Sequence, residues 1–100
     1  MPEYSIEIEE RGRCGVITYR EGSHLISFDY EFGGGDCLAF IFGPKQEMWD
    51  TTYPWAIGRQ HQIFTDMSKE VIAKRANSCL AQIELRTGTV AIIQPKKGVQ

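Results

Sequence analysis

A chain of 100 residues, 42% apolar and 11% aromatic, has room for one hydrophobic core and is too rich in aromatics for an intrinsically disordered segment. Its net charge of −2, with the basic residues scattered, argues against nucleic-acid or anionic-membrane binding by long-range attraction. No apolar run approaches the ~20 residues that span a bilayer, and Met1-Pro2-Glu3-Tyr4 lacks the basic and apolar regions of a secretory signal, so a cytoplasmic location is expected.

Tyr4–Glu10 alternates, with Tyr4, Ile6 and Ile8 on one face and Ser5, Glu7 and Glu9 on the other, the pattern of a half-buried strand. Glu10–Arg13 reads as a turn, Cys14–Arg20 as a second strand rich in β-branched residues, and Glu21–Ser23 as another turn. His24–Phe32 alternates most clearly: Ile26, Phe28, Tyr30 and Phe32 share one face, and Leu25, Ser27, Asp29 and Glu31 share the other. Gly33-Gly34-Gly35 then breaks the strand. Cys37–Phe42 is apolar throughout, which predicts a strand covered on both faces or one whose second face meets something outside the chain.

Pro44 suits the start of a short helical turn carrying Met48 and Trp49. A second helix is predicted with Tyr53 at its cap and Pro54 at its first position, because the residue before proline resists the α conformation. It runs about six turns to Ala76, its apolar stripe formed by Ile57, Phe64, Met67 and Val71 with Ile63 and Ile72 at the flanks. Glu70 and Lys74 stand four apart in the favourable order, and Asn77 suits the left-handed closing position. Gly58 is a weak point inside that helix, costing about 1 kcal/mol against alanine. Cys79–Arg86 and Thr89–Gln94 close the chain as a hairpin about Thr87-Gly88.

The order β-β-β-β-(short α)-α-β-β segregates strands from helix. It predicts an α+β fold in which a largely antiparallel five- to six-stranded sheet packs on one long helix. Residues 1–94 form a single domain and 95–100 a frayed polar tail.

The candidate chemistry is sparse. None of His24, His61, Cys14, Cys37 and Cys79 lies within four residues of another, so no metal site is expected, and the odd, dispersed cysteines read as reduced, buried thiols, with Cys14 the most exposed. The triple glycine precedes a strand rather than a helix, so it reads as a turn and not as a phosphate cradle. Asp29 and Glu31, with Asp36 nearby, form an acidic face; nothing in their sequence surroundings splits their pKa values for acid–base work. Met48–Trp55 gathers both tryptophans, and Trp49, Tyr53 and Trp55, with His61 on the helix, are candidates for a core cap or a binding rim.

No catalytic residue and no cofactor is assigned. The leading expectation is a non-enzymatic protein–protein interaction module of inhibitor, immunity or regulatory type. Its acidic residues Glu7, Glu9, Asp29, Glu31 and Asp36 would steer a basic partner. Should Cys37–Phe42 and Val90–Ile93 be neighbours, their outer face would form an apolar patch that a second copy could cover, giving a homodimer. One alternative is a small-ligand-binding domain with an apolar cavity between sheet and helix, its mouth near Trp49, Tyr53, Trp55 and His61. Another is an enzyme pairing His61 or a cysteine with Asp29 or Glu31.

Overall fold

The computed structural model describes residues 3–33, 37–75 and 78–94. Strands β1 (Ser5–Arg11), β2 (Cys14–Glu21), β3 (His24–Phe32) and β4 (Cys37–Phe42) come first, followed by helix α1 (Gln46–Thr52), a 3₁₀ turn (Pro54–Ala56), helix α2 (Gln60–Arg75), and strands β5 (Leu80–Glu84) and β6 (Thr89–Ile93). The strands form one antiparallel sheet in the order β1-β2-β3-β4-β6-β5. The architecture is the α+β arrangement that the segregation of strands and helix predicts. No helix among the described residues is long and apolar enough to cross a membrane.

Tight turns at Gly12 and Gly22, both at positive φ, set the registers of the first two hairpins. These registers align the apolar residues in rows across the sheet. Ile6, Tyr19 and Ile26 face one another across three strands, and Tyr30, Ile41, Val90 and Ile83 across four. Helix α2 lies on this face, burying Ile63, Phe64, Met67 and Val71 against it, with Phe64 edge-on to Phe28 at 5.3 Å. Its 16 residues measure about 24 Å, the width of six strands at about 4.8 Å spacing, so it touches both edge strands, β5 and β1.

Two features depart from the sequence reading. The expected continuous helix from Pro54 is broken at Gly58, whose φ of +76° lies outside the helical region, with its N–H 3.3 Å from Asp50 Oδ1. The break swings Ile57 out to 60% exposure, so it is not part of the apolar stripe, and His61 is exposed. The last hairpin is joined by four residues, 85–88, instead of two. Leu85 turns inward against the core, its carbonyl accepts the Gln46 N–H at 3.0 Å, and the Gly88 N–H reaches back to the Glu84 carbonyl at 3.0 Å. The expected left-handed closure at Asn77, the Gly33–Gly35 turn past its first residue, and the tail 95–100 lie outside the described residues. The Glu70–Lys74 pair is present at 3.9 Å.

Gln60 begins α2 and is almost fully buried. Its Nε2 donates to the carbonyls of Pro44 (3.1 Å) and Leu85 (3.0 Å), tying the helix start to the connections on either side of it. Gln60→Met keeps the length and removes both donors. At about 1 kcal/mol per lost bond, it should lower unfolding stability by about 2 kcal/mol, read from urea denaturation midpoints. An unchanged midpoint would show that the clamp carries no weight.

Candidate functional site

The tryptophan-rich connection is a cap on the core. Trp49 is 2% exposed, donates from Nε1 to the Ala56 carbonyl at 2.7 Å, and packs edge-on to Phe64. The 3₁₀ turn begun by Pro54 supplies that carbonyl, which satisfies the indole's one polar group. Tyr53 leans on Trp49 with ring centroids 4.9 Å apart. Half-buried Trp55 stacks flat on His24 at 4.5 Å, and the Arg59 guanidinium stands 6.0 Å from its ring centroid. Arg59 also grips Glu21 through two nitrogens (2.8 and 3.1 Å), and Glu21 accepts the Tyr19 hydroxyl at 2.8 Å. These contacts fasten the connection to the β2–β3 turn.

The acidic candidates lie on the opposite face of the sheet, which α2 does not cover. Asp29 stands directly across from Phe42 and Glu31 directly across from Phe40. Phe40 and Phe42 are 41% and 42% exposed, with ring centroids 6.5 Å apart. Strand β6 is the next neighbour of β4, placing Ala91 beside Phe40 and Ile93 beside Cys37; exposed Leu80 of β5 lies across from Ile93. The apolar patch expected from the composition of β4 and β6 therefore exists, and the tryptophan connection packs elsewhere. Glu9 and Glu7 are engaged by Arg11 (3.1 Å) and Arg20 (4.0 Å), whereas Asp29 and Glu31 have no ion-pair partner among the described residues. Asp36 lies outside the described residues.

On the helix side, a cavity of about 230 Å³ opens beneath the C-terminal half of α2. Its walls are Ile8, Ile17, Leu38, Ile41, Val71 and Ile92, with half-exposed Phe32 alongside. Three polar residues also line it: Tyr30, and the Glu10–Arg75 ion pair at 3.2 Å. The Tyr30 hydroxyl is buried and has no hydrogen-bond partner among the described residues. Burial raises its pKa above the ordinary phenol value, and the Glu10 carboxylate adds to the shift while Arg75 opposes it.

The structure thus separates the sequence candidates. Trp49, Tyr53 and Trp55 cluster at one end of the core. His61 sits exposed on α2, on the far side of the sheet from Asp29 and Glu31, so a His61–carboxylate pair does not assemble. Cys14 does stand across from Glu31 on the open face, its Sγ 3.7 Å from the Arg11 carbonyl; Cys79 is buried, and the Cys37 side chain lies outside the description. The cavity is lined by residues other than Trp49, Tyr53, Trp55 and His61, which were expected at its mouth. Sequence reasoning missed Tyr30, Glu10 and Arg75. The available signal was Gly15, whose register opposite Tyr30 leaves room for the ring; a Cβ there would stand 2.7 Å from it.

The Glu21–Arg59 contact makes stability pH-dependent. Hydrogen bonds from Arg59 chiefly, opposed by burial and helped by Tyr19, hold the Glu21 carboxyl below its ordinary value of 4.5. A depressed folded-state pKa gives stability that is fully present above the unfolded value and is lost as pH falls through the folded one. Glu21→Gln should therefore cost stability at pH 7, about 1–3 kcal/mol, and the gap to the parent should shrink below about pH 4. Parallel denaturation curves across that range would contradict this origin. No protein-family model, curated protein or solved structure matches this chain.

Proposed function

We propose that this chain is a protein-interaction module whose open sheet face docks a basic, partly apolar segment of another protein. The observation that carries the reading is the block formed by Asp29, Glu31, Phe40 and Phe42: two carboxylates with no ion-pair partner among the described residues, side by side with two exposed aromatic rings. Carboxylates on a rigid strand attract and orient a cation, and neighbouring aromatic faces then hold the apolar stem of Lys or Arg.

Size and charge favour a different molecule over a second copy. The apolar part of the face spans three strands and about five residues, roughly 250 Å². A stable interface takes about 800 Å² per partner, so any partner that fills one must also cover the carboxylates of β3. On the open face of β4, β6 and β5 the register places Phe40, Phe42, Thr89, Ala91, Ile93, Leu80, Gln82 and Glu84, with no Lys or Arg among them. A second copy centred on the patch would bring Asp29 and Glu31 no counter-charge.

A lysine–leucine alternating peptide is a suitable probe, followed by amide NMR on the intact chain. Shifts are expected at Asp29, Glu31, Phe40 and Phe42, with affinity falling as salt rises. The double change Asp29→Lys with Glu31→Lys should weaken binding about tenfold or more, about 1.4 kcal/mol. A glutamate–leucine peptide binding equally well would contradict the reading. So would sedimentation as a dimer at micromolar concentration that Phe40→Ser converts to monomer.

A further inference from the structure

We infer that the cavity under the C-terminal half of α2 is a binding site for a small uncharged molecule, a single ring or short aliphatic body bearing one carbonyl that accepts the Tyr30 hydroxyl. This site is distinct from the docking face, on the other side of the sheet.

Volume sets the size of the guest. An apolar cavity of about 150 Å³ takes benzene, so about 230 Å³ accommodates a ring with a short substituent. It is smaller than the roughly 300–1,000 Å³ of typical drug-sized sites, too small to enclose a nucleotide or a long acyl chain. The walls set the chemistry. Aliphatic residues from four strands and the helix leave an apolar guest nothing polar to desolvate over most of its surface.

Tyr30 supplies the single point of recognition. It lines the cavity and is 6% exposed, and its hydroxyl, shielded from water and without a partner among the described residues, is in a state that costs free energy until a small side-chain movement lets a guest's acceptor reach it. The ring cannot withdraw to find one in the β1–β2 hairpin, since it already lies against Gly15, where even a methyl group would clash with it and with the Glu9 carbonyl. Phe32 closes its other flank edge-on at 5.7 Å. Charge at the site is balanced, because Arg75 and Glu10 neutralise each other. A carboxylate guest would gain from one and be repelled by the other, so a neutral carbonyl is the matching acceptor.

Acetophenone and ethylbenzene are nearly isosteric and differ in that carbonyl. Titrated into the full-length chain and followed by amide NMR, both should shift Leu38, Val71 and Ile92, with acetophenone about tenfold tighter. Tyr30→Phe should erase the difference while leaving ethylbenzene affinity unchanged. The same variant should melt at the parent's temperature or above it, since it removes an unpartnered buried hydroxyl. The inference is overturned if neither probe binds, if the two bind the parent equally, or if their difference survives in Tyr30→Phe. Shifts confined to Phe40 and Phe42, or a clear fall in melting temperature for Tyr30→Phe, would overturn it as well, the latter by showing that the hydroxyl serves the fold.

Discussion

One 16-residue helix must cover a six-stranded sheet, and it can cover one face only. The alternation within β1, β2 and β3 is the sequence's answer to that constraint: one face of each carries Ile, Phe and Tyr, and the other carries mostly charges and hydroxyls, with Cys14, Val16 and Leu25 among them. Strands β4 and β6 do not follow the rule. Phe40, Phe42 and Ile93 stand where the first three strands place mostly polar residues, and no element among the described residues folds over them. Folding stability gives no reason to keep two large aromatic side chains in water beside two carboxylates. The docking role proposed above would give one.

The helix is also held unequally along its length. At its start, Gln60 binds two loop carbonyls, Trp49 packs on Phe64, and Arg59 reaches the β2–β3 turn. At its far end the ties are lighter: Lys74 donates to the Ile6 carbonyl at 3.1 Å, and the Arg75–Glu10 pair is half in solvent. The cavity lies at this lighter end. Large aromatics fill the space between helix and sheet near Phe64, whereas Val71 is too short to fill the corresponding space above Tyr30 and Ile92.

Much of this was legible in the residues. The period-2 pattern of Ile26–Phe32 gave a strand and both its faces, including the solvent side of Asp29 and Glu31. The uninterrupted apolar run of Cys37–Phe42 fitted either a strand covered on both faces or one whose second face meets something outside the chain, and the exposure of Phe40 and Phe42 removes the first alternative among the described residues. The break at Gly58 was not legible, because Ile57 and Phe64 satisfy helical spacing whether or not the chain turns between them, and the decisive contact, Gly58 N–H to Asp50, crosses to another element. The last hairpin was legible but its four-residue loop was not, because Thr87-Gly88 fits a two-residue turn locally, while the fate of the Leu85 carbonyl depends on Gln46 and Gln60. The cavity was misplaced for a related reason. Aromatic residues drew attention to the tryptophan end, but their very size is what fills it, and the gap appears where the helix presents the short Val71 to the sheet.

Hydroxyl-radical footprinting of the free chain at low micromolar concentration tests the central asymmetry most directly, because it ranks the phenylalanines by access to solvent. Phe40 and Phe42 should oxidise many times faster than Phe28 and Phe64, which lie beneath the helix. Equal protection of all four would contradict the one-faced sheet and remove the physical basis for a docking surface on its open side.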